Sequence, residues 1–369
     1  DGYADRRFTM TSEDISIFLE DSDYLGNYSA ERIYEYSGST KPEYWHKGYF
    51  GGGPAGDSGD PIPQHLSDDW ENSSWNQKIW GGDATEISSA VNDGTFLLTH
   101  RNHGGTGGWG TPSYDTDDVD ALTNGDELPV VWSLNCNTGY FDDETSENAT
   151  HTYSFSESWE RNQDGGATGV IAATRVSYSG HNDRLAWGFT DSIWPSFLNY
   201  SGDHEESEDS PLYRMGDVLN YGKYYYATNY GDYKYRKITF EMFHWFGDPT
   251  MQIRTDIPEN MNVDHPTEIS TGKSQQVTVN VEDQTGDAVE DARVALSKNS
   301  DIYKVGFTDS ESSDSCPHPA ITNAASAPAA RILPCFIPCL SLPFCPNRRP
   351  AAGRGLILPN RPRHSHDSP

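Results

Sequence analysis

The sequence is poor in cysteine, in basic residues and in long apolar runs, and each shortage closes off a class of function. Four of the five cysteines (Cys316, Cys335, Cys339 and Cys345) lie beyond residue 309. The first 309 residues therefore hold Cys136 alone, which forms neither an intramolecular disulfide nor a multi-thiolate metal site. Lys and Arg number 26 against 56 acidic residues, for a net charge of −30. Neutralising phosphates takes clustered Lys and Arg, so nucleic acid is excluded as a partner. No apolar run reaches the roughly 18 residues that a membrane-spanning helix needs. There is no starting Met and no secretory signal; the chain opens at Asp1-Gly2-Tyr3 as though cut from something longer, so the missing signal says little about destination.

What is present suffices for a core. Hydrophobic residues make up 34% of the chain, and 10 Trp and 21 Tyr argue against general disorder. A length of 369 residues accommodates one sizeable α/β domain and a smaller module. The acidic residues are spread along most of the chain instead of forming one tail. Either they make a very soluble surface, or they mark adaptation to high salt, where screening removes self-repulsion. The even spread favours the halophilic reading.

Patterning divides the chain into residues 1–254, a linker at 255–264, a β module at 265–309 and a tail at 310–369. In the first region Asp14–Glu20 has helical apolar spacing and Glu31–Tyr36 reads as a strand. Ala84–Val91 reads as a helix with Asp83 as N-cap. Strands follow at Thr95–Thr99 (TFLLT), Pro129–Leu134 (PVVWSL) and Gly169–Ala173 (GVIAA), separated by helices at Thr116–Leu122 and Ser154–Arg161. Strands alternating with helices predict a parallel sheet covered on both faces. In 265–309, Val277, Val279 and Val281 alternate with polar residues, Gly286 supplies a turn, and Val294 and Leu296 alternate again. This reads as part of an immunoglobulin-like β-sandwich with about half the usual strands. The tail holds eleven of the 22 prolines, and its six arginines outnumber Glu311, Asp314 and Asp367 by three, leaving −33 on the first 309 residues. A disulfide or metal knot of its four cysteines is one reading. A disordered or non-native segment explains the sudden loss of acidity better, and the tail is set aside.

Cys136 follows directly on the strand PVVWSLN, at the carboxyl end where open parallel sheets carry their sites. Taken alone, a free cysteine is most often a small buried filler. The strand TFLLT, however, runs into His100-Arg101-Asn102-His103-Gly104-Gly105, so two neighbouring strands present an imidazole and a thiol together. A thiol needs a base or a cationic neighbour to act as the nucleophilic thiolate. Gly104 lets backbone approach a substrate closely, and its N–H with that of Cys136 is placed to donate to a developing oxyanion. His100 competes as base but sits on the last strand residues and is expected to be packed. Gly104–Gly108 lacks the GK[ST] ending of a phosphate loop.

The stretch THRNHGGTGGWGTPSYDTDDVDALTNGDELPVVWSLNCNTGYF resembles the gingipain-type cysteine peptidases of the caspase-like clan. SFSESWERN, ATGVIAATRVSYSG and FHWFGDPTMQIRT match further on, in order. The resemblance implies a three-layer caspase/gingipain-like α/β domain, here N-terminally truncated, followed by a partial immunoglobulin-like module. It implies an endopeptidase acting on protein or peptide substrates, outside the cell or at its surface. Cys136 and His103 are then the dyad, and the amides of Gly104 and Cys136 the oxyanion hole. Glu35 and Glu43 are candidates for the carboxylate that orients His103. Relatives that cleave after basic residues carry an acid in the specificity pocket. Ala173–Gly180 has none, with Asp183 a few residues beyond, so cleavage after Arg or Lys is not assumed. The alternative is a non-enzymatic adhesion or binding protein on the same scaffold; hydrolysis of another acyl substrate by the same dyad is a third reading.

No cofactor is required by this chemistry. Calcium as a structural ion is implied somewhere in the domain; Asp115, Asp117, Asp118 and Asp120, or Asp142, Asp143 and Glu144, offer hard oxygen ligands without EF-hand spacing. In a chain this acidic such runs are usually solvated faces. Asn27, Asn72, Asn148 and Asn199 begin glycosylation sequons at a frequency that chance explains. Trp187, Trp194 and Trp245 are expected in the core.

Overall fold

Phe8, Ile15, Phe18 and Leu19 bury one side of α1 (Arg6–Glu20), which extends the helix expected at Asp14–Glu20 toward the N-terminus. The computed structural model describes residues 6–21, 23, 25–36, 44–45, 61–71, 79–142, 152–198, 210–229, 233–255, 260–266, 277–290, 292–298, 301–309 and 331–334. The chain divides into two units, Asp1–Ile257 and Pro258–Pro369.

In the first unit α1 is followed by α2 (Gln64–Glu71) and α3 (Ala84–Asn92). Asp83 caps α3 as its sequence predicts, accepting from the amides of Thr85 (2.8 Å) and Glu86 (3.1 Å). Next come β1 (Leu97–His100), a small antiparallel sheet of β2 (Gly104–Gly105), β3 (Gly108–Gly110) and β4 (Ser113–Asp115), and α4 (Thr116–Asp120). The chain continues through β5 (Val130–Ser133), α5 (Phe155–Arg161), β6 (Gly169–Ala173), α6 (Ser179–Ile193), α7 (Met215–Asn229), α8 (Tyr233–Met242) and β7 (Phe243–Gly247).

The main sheet has the order β1-β5-β6-β7. β1, β5 and β6 are parallel, as expected, but β7 runs antiparallel to β6. The reversal follows from the connection. α8 passes straight into β7 without a loop and delivers Phe243 beside Ala173, at the carboxyl end of β6, so β7 can only run back.

Every residue of β5 and β6 is buried, which is why both read as unbroken apolar runs. Val130, Trp132, Leu134, Ile171 and Ala173 pack on one face with α1, α6 and α7. Val131, Val170 and Ala172 pack on the other with Val91, Trp109, Val119, Phe155 and Trp159. Alternate residues of a strand face opposite ways, and both faces are covered: a three-layer α/β arrangement.

The strand expected at Glu31–Tyr36 is reduced to a single bridge, Glu35 to Gly81, flanked by bonds from Tyr34 N to Ile79 O (2.8 Å) and Tyr36 N to Trp80 O (3.0 Å). Its partner segment ends at once in the cap of α3, so no ladder can grow. The segment is tied to α1 by Arg32, whose Nε lies 2.9 Å from the buried carboxylate of Glu13.

In the second unit β8 (Asn262–Asp264) pairs antiparallel with β9 (Asn280–Glu282), so the end of the expected linker is strand. β10 (Arg293–Lys298) is flanked antiparallel by β11 (Asp301–Phe307) and β12 (Arg331–Pro334). Val281, Val289 and Ala292 form its buried apolar cluster, Ala295 of β10 is buried as well, and Gly286 turns with φ +89°. Among the described residues these strands form one pair and one three-stranded sheet. Apart from β12, the tail from residue 310 lies outside the described residues, and Cys316, Cys335, Cys339 and Cys345 with it.

Candidate active site

β1 and β5 are adjacent and parallel, with Leu97 facing Val130 and His100 facing Ser133. Facing residues are thus 33 positions apart, the separation of His103 from Cys136. Each of the two lies three residues past the last paired position, on the same carboxyl edge. The two connections touch: a Cβ on Gly104 would come within 2.7 Å of Asn135 Oδ1, so only glycine lets the residue after His103 pack against the residue before Cys136.

His103 is exposed at the start of the β2–β3 hairpin. Its carbonyl accepts from Gly110 N (3.0 Å), and Phe8 of α1 meets its ring edge-on at 5.4 Å. His100, the competing base, is buried as expected and stacks on Trp109 at 4.3 Å. Its Nε2 donates to the Thr111 carbonyl (3.2 Å) and its Nδ1 accepts from Asn135 Nδ2 (2.8 Å). Burial pushes this imidazole down to about 3, and the neighbouring Arg101 and His103 act in the same direction. It is therefore neutral at pH 7 and engaged at both nitrogens.

Cys136 is half-buried where β5 gives way to a tight turn. Asn137 adopts φ +59°, a conformation Asn tolerates better than most residues. The Ser177 amide donates to Cys136 Sγ at 3.3 Å, and the thiol reaches the Ser177 carbonyl at 3.5 Å. Ser177 is fixed in turn: its hydroxyl donates to the Asn135 carbonyl (2.8 Å) and accepts from Asn182 Nδ2 (2.7 Å). Asn137 N bonds the Arg175 carbonyl (3.2 Å) and Gly139 N the Ala173 carbonyl (3.0 Å), stitching the cysteine turn to the segment after β6. Val176, 58% exposed, and Phe141, 49% exposed, belong to these two segments. Sequence reasoning missed Ser177, which touches the sulfur, and Asn182, which holds Ser177, because nothing in the pattern links residues 41 and more positions away to the cysteine turn.

Arg101 lies under this edge. Its Nε donates to Asp183 Oδ1 of α6 (2.6 Å), Nη1 to the Leu134 carbonyl (3.3 Å) and Nη2 to the Ser179 carbonyl, while Phe8 stacks on the guanidinium at 4.2 Å. Asp183, the acid nearest to Ala173–Gly180, is thereby held by an arginine of the protein itself. Asp14 of α1 is pushed up to about 7, chiefly by burial and further by Glu13 and Asp183.

Of the proposed orienting acids, Glu35 is exposed in its bridge with Gly81, and Glu43 lies outside the described residues. Asp115 and Asp118 form the capping box of α4, Asp120 accepts from Tyr153 (3.1 Å) and Asp142 pairs with Arg175 (2.7 Å). Asp143 and Glu144 lie outside the described residues. Among the described residues no three His, Cys, Asp or Glu side chains converge as a metal site. Trp194 is buried, with Trp187 and Trp245 packed against the same core.

Residues 8–254 match the family model described as peptidase family C25. Gingipain R2 of Porphyromonas gingivalis is 29% identical over 195 residues, covering 50% of this chain and 23% of that protein. Gingipain R1 of the same organism is 28% identical over 195 residues, covering 50% of this chain and 17% of the relative. A crystal structure of the Arg-specific cysteine proteinase gingipain R superposes with a TM-score of 0.50 at 23% identity, over 70% of this chain and 56% of that one. The chain thus spans about a quarter or less of these curated relatives, and the structural likeness bears on the fold alone.

Proposed function

The chain belongs to peptidase family C25, and from that premise we propose that it is a cysteine-type endopeptidase whose nucleophile is Cys136 and whose acid–base residue is His103. The observation that supports this reading is the shared offset of 33 residues: His103 and Cys136 each lie three residues beyond the paired ends of two adjacent parallel strands.

In this mechanism His103 takes the thiol proton as Cys136 Sγ attacks the peptide carbonyl carbon. The amides of Gly104 and Cys136 donate to the oxyanion, each contributing on the order of 3 kcal/mol. His103 then protonates the leaving nitrogen, the C–N bond breaks and a thioester remains. Water, deprotonated by His103, attacks the thioester carbon, releasing the carboxylic acid and restoring the thiol. Substrates are proteins or peptides, met outside the cell or at its surface. Because Asp183 is held by Arg101, we do not assign it to recognition of a basic substrate side chain.

The test is hydrolysis of unfolded protein and of a mixed peptide library by the purified chain. Wild type cleaves, while Cys136→Ala and His103→Ala do not. Equal cleavage by wild type and Cys136→Ala would overturn the reading.

A further inference from the structure

Asn135 has a side chain that joins the two halves of the candidate dyad. It is 1% exposed, and both ends of its amide are occupied. Nδ2 donates to His100 Nδ1 on β1 (2.8 Å) and to Ser133 Oγ on β5 (3.0 Å). Oδ1 accepts from Thr138 Oγ1 in the cysteine turn (2.7 Å) and from Ser133 Oγ (3.2 Å). Ser133 Oγ also receives the indole N–H of Trp109 (2.8 Å), the ring on which His100 stacks. Gly104, directly after His103, lies against the Asn135 amide with no room for a Cβ. The Asn135 carbonyl is held by Ser177, which contacts the sulfur. One side chain therefore fixes the end of the histidine strand, the residue after the histidine and both sides of the cysteine.

We propose that Asn135 is a positioning residue that sets the approach of His103 to Cys136, acting through His100 on one strand and through Ser133 and Thr138 on the other. The inference rests on the dyad reading above. The Asn135 side chain is buried and its hydrogen bonds go to His100, Ser133 and Thr138 instead of the sulfur, so its loss disturbs the geometry of proton transfer and attack while leaving peptide binding in place. The neutrality of His100 is part of the arrangement, since a lone pair on Nδ1 is what receives the Asn135 N–H.

Steady-state cleavage of one peptide, with far-UV circular dichroism as a fold control, tests this. In Asn135→Ala, kcat falls about 100-fold, as expected for misplacement of reacting groups by about 1 Å, and KM is little changed. Thr138→Val keeps the shape of a fully buried residue and removes one donor to Oδ1; kcat falls in the same direction, by less, again without a KM change. If Asn135→Ala does not fold, the Thr138→Val result decides. An active wild type whose variants keep its kcat, or lose activity through KM, overturns the positioning role alone. A folded wild type that cleaves no better than Cys136→Ala overturns the dyad reading, and the positioning role falls with it.

Discussion

At the scale of single residues, the Arg101–Asp183 pair and Asp14 make distinct claims. Arg101 and Asp183 expose 1% and 9% of their side chains, and removing one partner of a buried pair strands the other charge. Asp183→Asn should cost about 3–5 kcal/mol in urea unfolding. The equivalent change at Asp142, whose pair with Arg175 is 40% and 52% exposed, should cost at most about 1 kcal/mol. Similar losses at the two sites would contradict this. Asp14 is raised to about 7 in the folded state from 3.8, so folding takes up a proton there. The stability tied to that proton is complete below about pH 4 and is lost as pH rises through about 7. Asp14→Asn should therefore be more stable than wild type at pH 8, with the gap closing toward pH 4. A gap that widens on acidification would refute the assignment. The shared sheet edge of Cys136 and His103 was legible in the sequence, because each lies within a few residues of the end of an apolar strand. Asn135 was visible beside them without its role, since that role depends on partners which only the strand register assembles.

At the scale of elements, α6 and α7 cross closely through two glycines. A Cβ on Gly222 would meet Phe189 Cδ1 at 2.2 Å, and one on Gly188 would meet Gly222 Cα at 2.7 Å. Phe189 is fully buried against Trp132 of β5, so it has nowhere to retreat. Gly222→Ala should destabilise by about 1–3 kcal/mol through overpacking, in spite of alanine's better helix propensity. A gain in melting temperature would show that the helices can separate freely. The parallel core β1-β5-β6 was readable, since apolar runs at that spacing carry their own signal. The direction of β7 was not, because periodicity has no sign; the abrupt join to α8 decides it. The single bridge at Glu35 likewise reflects its neighbour's early entry into α3, which alternation in its own residues does not encode.

At the scale of the whole molecule, a net charge of −30 opposes compaction in dilute buffer. Raising salt from about 0.1 M to 1 M shortens the screening length from about 10 Å to 3 Å. The thermal midpoint should rise over that range, and a fall would argue against halophilic adaptation. The central claim is narrower: a thiol and an imidazole on one sheet edge act on one carbonyl. The most direct measurement is the rate of covalent labelling by a thiol-directed peptidyl ketone, with the modified peptide mapped by mass spectrometry. The account predicts label on Cys136, formed far more slowly in folded His103→Ala. Label placed elsewhere, or on Cys136 at a rate indifferent to His103, would contradict it.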